Sequence, residues 1–97
     1  MPTYQWLARF ARDFDSLTPA EQRLFLSAVT QFVEDLRAGN GLRKGLRVKG
    51  VQGAPSVFEM TWAHDGRATF HFGQLLGQGG THVVWRRIGS HEIFSQP

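Results

Sequence analysis

Val57-Phe58-Glu59-Met60-Thr61-Trp62-Ala63, a His64-Asp65-Gly66 turn and Arg67-Ala68-Thr69-Phe70-His71-Phe72-Gly73 together spell a β-hairpin. Strand alternation sorts its side chains onto two faces of opposite chemistry. One face carries Phe58, Met60, Trp62, Ala68, Phe70 and Phe72; the other carries Glu59, Thr61, Arg67, Thr69 and His71. The register follows from keeping each face uniform. A two-residue loop at 65 and 66 sets Trp62 opposite Thr69 and Met60 opposite His71, mixing core and solvent positions. A three-residue loop over 64–66, with Gly66 in the left-handed region, pairs Trp62 with Ala68, Met60 with Phe70 and Phe58 with Phe72. This second register is the expectation. It makes Glu59 and His71 cross-strand neighbours on the polar face, either as a solvent-facing ion pair or as groups that tune each other's protonation.

Upstream of the hairpin, Leu46-Arg47-Val48-Lys49 reads as a basic strand. Downstream, His82-Val83-Val84-Trp85-Arg86-Arg87-Ile88 is β-branched and aromatic, is broken by Gly89-Ser90, and leads into His91 to Phe94. Val83, Trp85 and Arg87 share one parity and Val84, Arg86 and Ile88 the other, so periodicity leaves open which arginine joins the polar face. The first third is helical. Phe10, Phe14 and Leu17 recur at four and three residues, and Thr18-Pro19-Ala20-Glu21 is a capping box with proline at the first helical position. A second helix therefore starts at Pro19, with Leu24, Phe25, Ala28, Val29, Phe32, Val33 and Leu36 as its core stripe and Gly39 as its left-handed stop. Tyr4 to Ala8 is either a short first strand or, within Gln5 to Phe14, part of one helix. The expected fold is α+β: one domain over 1–97, with two N-terminal helices packed on a twisted, mainly antiparallel sheet of three to four strands. Gly39 to Gly53 and Gly73 to Gly80 are expected to be mobile loops.

A hydrophobic fraction of 41% with 12% aromatics supplies a real core for 97 residues. Zero cysteines exclude disulfides, thiolate zinc sites and a cysteine nucleophile, and the four histidines lack close metal-ligand spacing. No apolar run approaches the roughly 20 residues of a membrane span. Arg9, Arg12 and Asp13 interrupt any signal sequence, so a cytoplasmic protein without cofactor is expected. Charge is unevenly placed. Residues 1–36 hold three basic against five acidic groups, net −2, and residues 37–97 hold eight against three, net +5. A basic sheet beside an acidic helical half suits a nucleic-acid phosphate or an acidic protein.

The order of elements, the Leu46-Arg47-Val48-Lys49 start, the hairpin, and the ending Val84-Trp85-Arg86-Arg87-Ile88-Gly89-Ser90-His91 resemble the RelE/ParE toxin superfamily over nearly the whole chain. The resemblance implies the toxin of a two-component toxin–antitoxin module, neutralised by a cognate antitoxin, with DNA reached only through an antitoxin complex. RelE-like and HigB-like members are ribosome-dependent messenger RNA endonucleases; ParE-like members poison DNA gyrase. On the nuclease branch, Arg47, Lys49, Arg67, Arg86 and His91 match the basic and C-terminal positions that such members use, and Glu59 and His71 join them from the register argument. Attack by the 2′-hydroxyl needs a base, here Glu59 or His71. It also needs an acid, here His91, and cations for the growing phosphorane charge, here Arg67 and Arg86, with no metal. Arg43, Lys44, Arg47 and Lys49 would bind phosphates of the message or the ribosome, and Phe94 would stack a base. Many RelE-like nucleases carry a tyrosine near the C terminus; here Phe94 stands there and Tyr4 is the only tyrosine, which points away from a strict RelE-type site and towards a histidine-centred, HigB-like one, or towards an inactive or ParE-like protein. A ParE-like gyrase inhibitor and a non-enzymatic basic binding module are the alternatives.

Overall fold

The computed structural model describes residues 3–73 and 81–97. Strand β1 (Thr3–Trp6) leads into helices α1 (Ala8–Asp15) and α2 (Pro19–Ala38), then a 3₁₀ turn over Lys44–Leu46. Strands β2 (Lys49–Gly50), β3 (Phe58–Ala63), β4 (Gly66–Gly73) and β5 (His82–Gly89) follow, and a second 3₁₀ turn covers His91–Ser95. The strands form one sheet in the order β1-β5-β4-β3-β2, with β1 parallel to β5 and the other pairs antiparallel. The α+β class is as expected, but the sheet has five strands rather than three to four. Thr3–Trp6 is a true strand, and its pairing is reinforced by His82, whose Nδ1 accepts from Thr3 Oγ1 at 2.7 Å while its Nε2 donates to Gln5 Oε1 at 2.9 Å. No described helix is long and apolar enough to cross a membrane.

Helix α2 begins where its sequence dictates. Thr18 Oγ1 accepts from Glu21 N–H and Glu21 Oε1 accepts from Thr18 N–H, so two otherwise orphaned donors are satisfied reciprocally. Gly39, at φ 73°, ends it. Phe25, Ala28 and Phe32 are buried against the sheet, and Val29 and Leu36 pack at the margin. Leu24, expected in the same stripe, is half exposed, because it lies one residue off the helical line that faces the sheet. Phe32 sits on Phe70 and Trp85 with centroids 5.1 and 5.6 Å away, and Phe25 meets Trp62 and Trp85 edge-on. On the sheet itself, the successive pairings Phe58↔Phe70, Phe70↔Trp85 and Trp85↔Trp6 form a transverse aromatic row.

The hairpin closes differently from expectation. Its loop is His64-Asp65, with Ala63 opposite Gly66, and the ladder shifts between Thr61 and Ala63 so that Trp62 is the extra residue of a bulge. Beyond it, Thr61 faces Arg67, Met60 faces Ala68, Glu59 faces Thr69 and Phe58 faces Phe70. A two-residue loop plus a one-residue bulge has the same parity as a three-residue loop. The two faces therefore carry the predicted residues, yet Trp62 has lost its partner, the partners of residues 58–61 are displaced by two, and Glu59 and His71 are not neighbours. Gly66 has no positive φ either. It is glycine because the Trp62 indole lies on it: a Cβ there would stand 2.6 Å from Trp62 Cε2.

A second bulge brings both arginines to the polar face, Arg87 opposite Thr69 and Arg86 beside His71. The ladder runs Thr69↔Arg87 and then Phe70↔Trp85, leaving Arg86 unpaired. Trp85 and Ile88, three residues apart, thus both reach the core, and Val84 pairs with His71 on the opposite face. The expected Leu46-Arg47-Val48-Lys49 strand is mostly absent. Leu46 ends the 3₁₀ turn with its side chain buried in the core, Arg47 is left-handed at φ 50°, and pairing starts only at Lys49. Much of Gly39–Gly53 is therefore ordered by local contacts rather than loose; residues 74–80 of the other expected loop lie outside the described residues.

Candidate functional site

The polar face holds its side chains in two separate groups. At the hairpin tip, the Asp65 carboxylate accepts from His91 Nδ1 at 2.8 Å. Because a carboxylate only accepts, Nδ1 carries a proton, and in the neutral ring the lone pair therefore lies on Nε2. Both residues are exposed, and this contact with His91 holds the Asp65 carboxyl below its ordinary value. Phe94 meets His91 edge-on with centroids 5.5 Å apart, so an aromatic surface adjoins the imidazole. His91 is presented by the C-terminal 3₁₀ turn, whose start is capped by Ser90 Oγ accepting from Glu92 N–H and whose Ile93 is buried. Arg67 Nη1 donates to the carbonyls of Ala63, His64 and Gly66 at 3.0–3.3 Å, clamping the turn through one nitrogen of the guanidinium.

The second group lies further along β4. His71 Nδ1 accepts from Arg86 Nη1 at 3.1 Å, and burial, with Arg86 second, holds the His71 pKa below its ordinary value. Arg86 Nε also donates to the Pro97 main-chain oxygen at 3.1 Å. Arg87 is bound bidentately by Asp13, at 2.6 and 3.2 Å, and Asp13 also takes the Ile88 N–H where β1 has ended, extending the ladder with a side chain. Arg67 and His71 are four residues apart on one strand, roughly 13 Å of backbone. The five residues expected to act together, Glu59, Arg67, His71, Arg86 and His91, are thus divided between the tip and the inner strands.

Between the groups runs a transverse row, Lys49↔Glu59, Glu59↔Thr69 and Thr69↔Arg87. Glu59 is 9% exposed, and its nearest cation is Lys49 Nζ at 3.9 Å. Thr69 is fully buried, and its hydroxyl has no protein partner among the described residues. Of the four cations expected to meet phosphate, Lys44, Arg47 and Lys49 are exposed. Arg43 is engaged instead with α2, donating to Asp35 through Nε and Nη2 at 2.9 Å each and to Glu34 at 3.3 Å. Its neighbour Asp35 is held below the usual carboxylate range by those bonds.

Sequence reasoning passed over Asp65 because an Asp-Gly pair in a hairpin is fully accounted for as turn chemistry, and its partner lies 26 residues away. It also passed over Asp13, which reads as an ordinary helix-surface acid. Among the described residues no group of three or more His, Asp or Glu is placed to hold a metal ion.

A third feature lies on the opposite side. An apolar groove of about 510 Å³ runs between β1 and the two helices, lined among others by Tyr4, Trp6, Leu26, Val29, Val33 and Leu36. Thr3 N–H and Leu7 N–H bond to Thr81 and Trp85, so the alternate residues Tyr4 and Trp6 turn their backbone groups to the open edge. Tyr4, Trp6 and Leu26 are more than half exposed there.

This arrangement of helices and sheet is the fold of the RelE/ParE toxins of toxin–antitoxin systems. A copper-bound mutant toxin from Helicobacter pylori superposes with a TM-score of 0.62 at 19% identity, over 95% of this chain and 97% of that one. A chain of a RelB–RelE antitoxin–toxin complex from Methanococcus jannaschii gives 0.59 at 12%, over 93% of each. A YoeB/ParE toxin from Agrobacterium tumefaciens gives 0.65 at 8%, over 92% and 98%. No family model and no curated protein matches the sequence.

Proposed function

We propose that this chain is the toxin of a type II toxin–antitoxin pair and a ribosome-dependent messenger RNA endonuclease. The observation that carries the catalytic reading is the His91–Asp65 pair beside Phe94 at the hairpin tip, on a fold shared with such toxins. Asp65 fixes the His91 tautomer and aims Nε2 outward, where it takes the 2′-hydroxyl proton as that oxygen attacks phosphorus. The P–O5′ bond breaks, a 2′,3′-cyclic phosphate forms, and the proton passes to the departing 5′-oxygen. Arg67 keeps Nε and Nη2 for the phosphorane charge while Nη1 holds the turn. Phe94 stacks the neighbouring base. His71 and Arg86, too far along the strand for the same phosphate, hold the next one, and Lys44, Arg47 and Lys49 extend the contact to the ribosome. Glu59 serves as counter-ion to Lys49. A positioned histidine supplies on the order of 10²- to 10⁴-fold, and the ribosome supplies the in-line geometry of the message.

The cognate antitoxin fits the groove beside β1. An extended apolar segment adds as a strand to the open edge at Tyr4 and Trp6 and sinks alternate side chains towards Leu26, Val29 and Val33. The deciding experiment induces the chain in a bacterial host and maps new messenger RNA 5′ ends with and without a translation inhibitor. Codon-phased ends that disappear when ribosomes are emptied, and that His91→Ala abolishes, establish the reading. Growth arrest with no new ends rejects it and points to gyrase, the ParE-like alternative; neither arrest nor ends leaves a basic binding module.

A further inference from the structure

A second cleft lies at the other edge of the sheet. Strand β2 pairs with β3 only at Lys49↔Glu59 and Gly50↔Phe58, so β3 has no strand neighbour on that side from Met60 to Ala63. Where a longer strand would have continued, Leu46 is drawn into the core and Arg47 makes a left-handed step. The space left between α2, the 3₁₀ turn and the hairpin is a cleft of about 410 Å³, within the roughly 300–1,000 Å³ of small-ligand sites. Leu24 and Gln31 of α2, Arg47, and Trp62, His64 and Arg67 of the hairpin are among its lining residues, and none of those is a carboxylate. Arg47 is exposed and has no carboxylate within salt-bridge distance among the described residues. Its φ of 50° is costly for a residue with a Cβ, and strain of this kind clusters at ligand contacts. Trp62, part of the wall, keeps its indole N–H buried without a partner among the described residues. Leu24, half exposed, gives the cleft an apolar surface.

We propose that this cleft is a nucleobase pocket that takes one unstacked guanine of the bound RNA, with Arg47 as its specificity-determining residue. This rests on the RNA reading above and gives Arg47 more to do than hold phosphate. Apolar walls with donors and no carboxylate suit a flat ring whose edge carries acceptors. Guanine offers O6 and N7 to the paired donors of one guanidinium, the commonest way in which arginine reads a base. Adenine replaces O6 with an amino donor, and the pyrimidines have no N7. Arg67 belongs both to this cleft and to the hairpin tip, so a base in the cleft and the phosphate at the tip are neighbours along one RNA strand. Phe94 and the cleft then hold different bases of the same message, one by stacking and one by its edge.

The test is nuclear magnetic resonance titration of the ¹⁵N-labelled chain with GMP, AMP, CMP and UMP, following the indole N–H signal of Trp62, which Trp62→Phe identifies by its loss. Arg47→Gly removes the guanidinium without endangering the fold, because glycine adopts positive φ freely, and Arg47→Lys keeps the charge but not the paired donors. GMP should shift the Trp62 signal saturably and bind about five- to tenfold more tightly than the other three, and both Arg47 variants should level the four. Equal binding of all four by the unaltered chain means that only phosphate is held, and the proposal is overturned while the RNA reading stands. A Trp62 signal that no nucleotide moves, or a guanine preference that survives both Arg47 variants, overturns it too. In cells, 5′ ends that lose a guanine preference in Arg47→Lys place the base in the message; unchanged ends beside guanine selectivity in the titration place it in ribosomal RNA, and the pocket stands in either case. Guanine selectivity with no cleavage in cells keeps the pocket and removes the endonuclease.

Discussion

Gly66→Ala tests the geometry of the hairpin more sharply than any change in the core. The added Cβ would stand 2.6, 2.7 and 2.8 Å from Trp62 Cε2, Cδ2 and Cζ2, about an ångström inside ordinary contact. The indole is 7% exposed and bounded by Phe25, so it is poorly placed to swing aside. Overpacking of this kind costs typically about 1–3 kcal/mol. With a urea m-value of about 2 kcal/mol per molar, the midpoint should fall by roughly 0.5–1.5 M. The left-handed alternative makes a different prediction. If the position needed positive φ, Gly66→Asn would be tolerated better than Gly66→Ala, since asparagine visits that region. On the observed geometry both bring a Cβ and both are costly, whereas Trp62→Leu in the same chain removes the obstructing ring, so the cycle should show coupling within the range of about 0.5–3 kcal/mol. Equilibrium urea unfolding by circular dichroism measures all four corners. A tolerated asparagine, or additive single effects, would falsify the close-approach account.

Asp65→Asn leaves a group that no longer demands a proton on His91 Nδ1, so message cleavage should drop about 10- to 100-fold with little change in folding, read by primer extension on a translated transcript. His71 has a depressed pKa in the folded state, so below about pH 6.5 the unfolded chain binds that proton first. Stability from this residue is therefore undiminished at neutral pH and lost as pH falls; His71→Gln should flatten that part of the melting-temperature profile, and an unchanged slope would count against the burial of His71 and its placement beside Arg86. Phe32→Ala removes a side chain 1% exposed between Phe70 and Trp85 and should cost about 3–5 kcal/mol by denaturant titration.

How far the sequence foretold this molecule depends on the range of each signal. Helix α2 was legible from end to end because its capping box, proline and terminal glycine act within a few residues of one another. The two faces of the hairpin were legible because alternation is local. Its register was not, since a bulge at Trp62 restores the parity that a different loop would also satisfy, and alternation is blind to that difference. The same holds for β5, where one extra residue at Arg86 lets Trp85 and Ile88 both face inward. The basic strand at 46–49 failed for another reason: Leu46 serves the core better at the end of a 3₁₀ turn than in a ladder, leaving Arg47 to make the left-handed step. In the candidate site, residue types were readable but company was not. His91 was singled out without Asp65, and Arg43 was assigned to phosphate although the acids of α2 hold it.

The parallel pairing of β1 with β5 also sets an order of assembly. Thr3 lies opposite His82, 79 residues later, so β1 has no sheet partner until β5 has been synthesised. Loop closure over that distance is the last contact the topology rewards. During synthesis the helices and the hairpin have local partners, whereas β1 has none. Until β5 has been made, the pairing edge of β1 is open, and any extended segment present in that interval competes with β5 for it.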